Sequence, residues 1–198
     1  MRVTATTVSR LEQALNAALE FAPVMQITAE LVRFGAWFEA QALSSVLEIG
    51  TANGGTAAFF LALGAHVWSV DMPNGPGGAS AEFYADRDRR LTARFPGRYV
   101  AVRGNSHDPY VRAALRCGVV DLLFIDGDHS YAGVMQDFLD YRPFVRRGGA
   151  VAFHDISDTA INRAEGCRVA RFWNELRGHK LEFRELAAGW GGIGVWQS

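Results

Sequence analysis

The chain reads as an α/β protein: a doubly wound sheet of seven strands, mostly parallel, with a C-terminal antiparallel hairpin and helices on both faces. Three observations predict it. Between residues 45 and 154, five short apolar strands alternate with helical stretches, the signature of βαβ units. The run 119–125 is apolar except for Asp121, as expected of a strand covered on both faces. The last two apolar runs, 181–187 and 192–196, are separated by only four residues, too few for a parallel crossover.

Size and composition fit one domain over residues 1–198, with 1–43 as a helical extension and 44–198 as the core. With 49% apolar residues, 21% charged residues and a net charge of −1, nothing draws the chain towards nucleic acid or a membrane surface. Cys117 and Cys167 match no metal spacing and read as free thiols. The N-terminus lacks the apolar core of a leader, and no apolar run reaches the ~18 residues of a membrane span. The expectation is a soluble cytoplasmic protein. The N-terminal helices allow a homo-oligomer without demanding one.

Two amphipathic helices open the chain, over 8–21 and 27–42, the first with Thr7 or Ser9 as its cap. Strands follow at 45–50, 66–71, 99–103, 119–125 and 150–154. Helices lie between them at 56–63, 79–95 (Arg and Asp outward), up to 116, and 131–145. Arg146-Arg-Gly-Gly149 reads as the cationic, glycine-rich end of that last helix. A further helix covers 168–177. The loops 72–78 and 156–166, rich in breakers or polar residues, are candidate covers of a site.

Sites in such sheets lie beyond the carboxyl ends of the strands. At the end of the first strand, Glu48-Ile-Gly-Thr-Ala-Asn-Gly-Gly55 forms a glycine loop in which Gly50 and Gly54 permit tight turning. Its spacing is not that of dinucleotide folds, and a carboxylate at Glu48 repels pyrophosphate and attracts an ammonium group. Asp71, ending the second strand, is placed to hold a ribose hydroxyl pair. A ligand with a ribose and a cationic amino-acid part is expected.

At the ends of strands four and five stand Asp126, His129, His154 and Asp155. Oxygen ligands of this type suit Mg²⁺, with Asp126 and Asp155 as ligands and His154 either a ligand or a hydrogen-bonding neighbour. A divalent ion would lower the pKa of a substrate hydroxyl. His129, with an ordinary pKa of ~6.5, is placed as general base. Asp128 reads as a cap of the following helix. Trp190 lines the substrate mouth or plugs the hairpin.

Residues 46–56 with Asp71 resemble the S-adenosylmethionine site of class I methyltransferases, which implies a Rossmann-like core. The resemblance covers roughly residues 40–198. It implies Glu48, Gly50, Thr51, Asn53 and Gly54 on the methionine part, Asp71 with Met72 at the ribose, Asn105, Ser106 and His107 over the adenine, and Asp126 at the cofactor's edge. Phe124-Ile-Asp-Gly-Asp-His-Ser-Tyr131, Phe153-His-Asp-Ile156 and Val169-x-x-Phe-Trp173 are similar to the cephalosporin-hydroxylase-like and macrolide-sugar O-methyltransferases. This likeness implies methylation of a hydroxyl on a small molecule, a sugar or natural product. His154 departs from it, standing where an acid is usual. A nicotinamide oxidoreductase and a non-catalytic cofactor-binding subunit are the alternatives.

Overall fold

The computed structural model describes residues 5–75 and 78–197, the side chains of 5–9 excepted. Seven strands form one sheet in the order β3-β2-β1-β4-β5-β7-β6. They are β1 (Ser45–Ile49), β2 (His66–Asp71), β3 (Tyr99–Arg103), β4 (Val120–Ile125), β5 (Val145–Phe153), β6 (His179–Phe183) and β7 (Ile193–Gln197). The first five are parallel; β7 runs antiparallel to both β5 and β6. The expected fold class is therefore the observed one. β4, in the middle of the order, is buried along its whole length.

The helices are α1 (Ala5–Phe21), α2 (Thr28–Ala40), α3 (Gly55–Ala62), α4 (Ala81–Arg94), α5 (Pro109–Ala114), α6 (Tyr131–Tyr141), α7 (Ala160–Ala164) and α8 (Val169–Glu175). They cover both faces. One core joins α1, α2 and α3 to the sheet through Phe34, Phe38, Phe59, Phe60 and Phe124; the other joins α6 and α8 through Phe138, Phe153, Phe172 and Trp173. α3 is apolar all round, as a helix enclosed by α1 and the sheet must be. Trp37 stacks on Phe34 at 5.6 Å, a packing role. Both cysteines are free. No helix among the described residues is long and apolar enough to cross a membrane.

Four expectations need correction. α1 starts at Ala5, so Thr7 and Ser9 lie within it, and their side chains are outside the described ones. α6 stops at Tyr141, because Pro143 cannot continue the hydrogen-bond ladder; a 3₁₀ turn (Arg142–Phe144) follows, and 146–149 belong to β5 rather than to a helix end. Ser130, not Asp128, caps α6 by accepting the Gly133 N–H, while Asp128 accepts the Ser130 N–H. On α4, Arg87 and Asp88 point inward, 2% and 7% exposed.

Candidate active site

The strand order reverses between β1 and β4, and the crevice at that switch point holds the polar residues. Backbone bonds extend the ladder past the strands: Gly50 N–H to Val70 O, Asp126 N–H to Ile49 O, His154 N–H to Ile125 O and Gly104 N–H to Asp71 O. Four strand-end loops are thereby fixed in one row. Gly50 has φ +85°, and a Cβ there would meet the Asp126 carbonyl oxygen at 2.2 Å. Only glycine lets the ends of β1 and β4 approach this closely.

Glu48 is fully buried, and neither carboxylate oxygen reaches a hydrogen-bond partner among the described residues. Burial pushes its pKa up to about 8; the nearby Thr51 hydroxyl, which is turned to Ser69, offsets this only in part. A buried acid with this much unmet capacity suits a cationic ligand. Gly54, with φ +90°, starts α3, and Asn53 is half-buried beside it. Pro23, in the α1–α2 connection, lies against the same helix start: a Cβ on Gly55 would meet its carbonyl oxygen at 2.8 Å.

Asp71 accepts the Met72 N–H and pairs with Arg87 at 2.7 Å. Arg87 also donates to the Ala52 carbonyl in the glycine loop at 2.6 Å and to Asp88 at 2.9 Å. Asp88 takes Tyr99 and Arg103 as well. One buried guanidinium thus ties the glycine loop to the acid that ends β2. Sequence reasoning missed it, since Arg and Asp on a helix default to the solvent side. Met72 is half-buried in the loop 72–78, of which residues 76 and 77 lie outside the described residues.

In the loop after β3, Asn105 Oδ1 accepts the His107 N–H and the Ser106 carbonyl accepts the Tyr141 hydroxyl. His107 turns towards α6, with Nε2 3.3 Å from Asp137. Asp137 is fully buried and its carboxylate accepts no hydrogen bond among the described residues, and burial pushes its pKa upward. It also went unnoticed in the sequence.

Asp126, His129, His154 and Asp155 do meet. Asp126 Oδ1 lies 3.1 Å from His154 Nδ1 and 3.3 Å from His129 Nε2; Asp155 Oδ2 lies 3.4 Å and 3.7 Å from the same atoms. Burial disfavours the charged form of Asp126, yet the two imidazoles hold its pKa well below the usual carboxylate range. The hydrogen bond to Asp126 raises the pKa of His129 against burial. His154 is deeply buried, but Asp126 and Asp155 overcome that and push its pKa up to about 10. Asp155 adopts φ +59°, an unusual conformation for a non-glycine residue, and its Oδ2 lies against His154 Nδ1.

The second Asp126 oxygen is held from the N-terminal side. Gln26 Nε2 donates to Oδ2 at 2.7 Å, and the Gln26 carbonyl accepts from Thr56 at the start of α3. This contact, 100 residues apart in sequence, has no local signal. Trp190 sits edge-on to His154 at 6.2 Å. It lines a cleft of about 120 Å³ together with Ser157, Asp158, Arg184 and Glu185.

This sheet and its strand-end crevice are those of the class I S-adenosylmethionine-dependent methyltransferases. A family model described as a methyltransferase domain (family 24) matches residues 47–156, and the chain belongs to that family. Membership agrees with the enzyme class expected from the sequence, an S-adenosylmethionine-dependent methyltransferase, and sets aside the nicotinamide alternative. Among curated proteins, the uncharacterized protein R132 of Acanthamoeba polyphaga mimivirus is 49% identical over 39 residues, 20% of this chain and 18% of that protein. A provisionally named caffeoyl-CoA O-methyltransferase from Staphylococcus aureus shares the fold at 17% identity, covering 96% of this chain and 92% of its own, with a TM-score of 0.64. An O-methyltransferase from Bacillus cereus, in complex with SAH, does so at 17% identity, 98% and 91% coverage and a TM-score of 0.62. So does an rRNA methylase from Streptococcus thermophilus, at 11% identity, 88% and 99% coverage and a TM-score of 0.60. The fold is thus common to enzymes named for different acceptors.

Proposed function

We propose that the chain is an O-methyltransferase acting on a hydroxyl of a small molecule, with a divalent cation held by Asp126, His154 and Asp155 and with His129 as general base. The observation that carries this reading is that each of two imidazoles lies within 3.7 Å of both carboxylates at the carboxyl edge of the sheet. The donors fit a metal: one atom from each of Asp126, His154 and Asp155 lies within 4.8 Å of the others. The partnerless Glu48 carboxylate fits the ammonium group of S-adenosylmethionine.

When bound, S-adenosylmethionine supplies the electrophilic methyl group, and the cation, expected from the sequence to be Mg²⁺, supplies acidification of the acceptor hydroxyl. Glu48 holds the ammonium end, and Gly50, Thr51, Asn53 and Gly54 bring the backbone against the methionine part. Asp71, steadied by Arg87 and followed by Met72, takes the ribose. Asn105, Ser106 and His107 cover the adenine. His129 takes the acceptor proton, and the flanking Asp126 and Asp155 stabilise the imidazolium that forms. Gln26 fixes one oxygen of Asp126 so that the other faces the imidazoles. Positioning of acceptor and methyl donor supplies most of the acceleration.

The acceptor enters past Trp190, with Asp158, Arg184 and Glu185 offering hydrogen bonds suited to a sugar or other polyhydroxylated scaffold. A polyanion would need a basic face, and this mouth carries more carboxylates than cations. The test is methyl transfer from S-adenosylmethionine to a panel of glycosides, phenols and RNA, read by mass, with and without chelator. Transfer to glycosides or phenols that stops on chelation is expected. Transfer to RNA alone, or transfer indifferent to chelator, would defeat the acceptor or the metal part respectively.

A further inference from the structure

Which ion the site selects depends on His154. An Mg²⁺ site is built from oxygen, and Mg²⁺ gives up its water reluctantly. Here one of the three donors is an imidazole nitrogen on a side chain only 4% exposed. The ring has little freedom to withdraw. Its backbone N–H is fixed to Ile125 O at 3.1 Å, and Trp190 closes over its edge. Nδ1 faces the carboxylates, whereas Nε2 is buried with no hydrogen-bond partner among the described residues. The nitrogen–oxygen spacings are short enough for neighbouring ligands on one ion, since bonds of about 2.1–2.2 Å at right angles put donor atoms about 3.0 Å apart, and the three donors lie within 4.8 Å of one another. His154 Nδ1 lies 3.1 Å from Asp126 Oδ1 and 3.4 Å from Asp155 Oδ2. Two carboxylates, with an imidazole that gives up its proton to the ion, also balance a double positive charge, which a site this enclosed favours. Imidazole suits first-row transition ions far better than Mg²⁺.

We propose that Asp126, His154 and Asp155 form a site for a divalent first-row transition ion, in preference to Mg²⁺. The proposal rests on the metal-assisted reading of the same residues.

The test uses the full chain stripped with chelator and titrated calorimetrically with Mn²⁺ or with Mg²⁺. Mn²⁺ is expected to bind tighter by on the order of 100-fold, and His154→Asp, which substitutes oxygen for nitrogen, to narrow that gap by about tenfold. Circular dichroism and a thermal melt establish that the variant is folded. Should it unfold, pulsed electron paramagnetic resonance of the Mn²⁺-loaded native chain decides. A coupling from directly bound ¹⁴N is expected, and it is expected to persist in His129→Ala. Mg²⁺ binding within about tenfold of Mn²⁺ in the native chain, or absence of the nitrogen coupling, overturns the proposal and leaves the metal-assisted reading standing. Failure of both ions to bind overturns the two together.

Discussion

Glu48 stores an electrostatic conflict that a ligand can resolve. Its pKa is about 8 in the folded protein against 4.5 for the free group. Because the folded value is the higher, its contribution to stability is fully present below pH 4.5 and is lost as pH rises through 8. Glu48→Gln should therefore melt higher than the native chain at pH 8.5 and show a flatter dependence between pH 5 and 8.5. Parallel melting profiles for the two proteins would refute the assignment. A cationic ligand at Glu48 should expel its proton, so binding of S-adenosylmethionine near pH 7 should release close to one proton, measured by calorimetry in buffers of different ionisation enthalpy. His129 calls for a kinetic test: His129→Gln should lower kcat by roughly 10²–10⁴-fold while SAH affinity stays near the native value. An unchanged kcat would leave His129 as an anchor of the turn. At this scale, legibility followed position along the strands. Asp126, His154 and Asp155 could be read because they directly follow apolar strands; Gln26 and Asp137 could not, because only the fold brings them in.

Among the elements, α4 and α6 departed furthest from expectation, for opposite reasons. α6 is shorter than its sequence suggests, because the arginines and glycines after Tyr141 imitate a helix end while Pro143 stops the helix before them. α4 lies where expected and turns Arg89, Arg90 and Arg94 to solvent, but Arg87 and Asp88 face inward, where charge alone gives no sign of burial. Its buried Arg87 holds Ala52, Asp71 and Asp88 together. Arg87→Met removes one charge from a buried network and leaves Asp71 without its cation, while Asp88 keeps Arg103 and Tyr99. The expected loss is about 3–5 kcal/mol in chemical denaturation. Cofactor affinity should fall as well, since the glycine loop and Asp71 lose their common tether. A variant with native stability would show that the carboxylates find other partners. α2 acts as a second tether: Glu30, fully buried, accepts the Glu185 N–H at 2.5 Å and the Gly192 N–H at 2.8 Å. It thereby holds both ends of the β6–β7 connection against α2.

For the molecule as a whole, the sheet was legible because its rules are few. Alternating elements imply parallel pairing, and a short last connection implies a hairpin. The course of the N-terminal region was not, since two amphipathic helices can cover many surfaces. They cover α3 and the far hairpin, and a cluster of phenylalanines welds them to the sheet. Phe60 lies at its centre, fully buried and in contact with Phe34, Phe38, Phe59 and Phe124. Phe60→Ala should lower unfolding free energy by about 3–5 kcal/mol, with one cooperative transition retained in urea. Two separate transitions would mean that the N-terminal helices fold apart from the sheet. The Gln26 bridge gives the attachment a further meaning. A segment that hydrogen-bonds both Thr56 and Asp126 cannot be exchanged as an independent cassette. Chimeras that import a foreign N-terminal region to alter acceptor choice must carry a carboxamide at position 26, or they will change the turnover machinery along with the specificity.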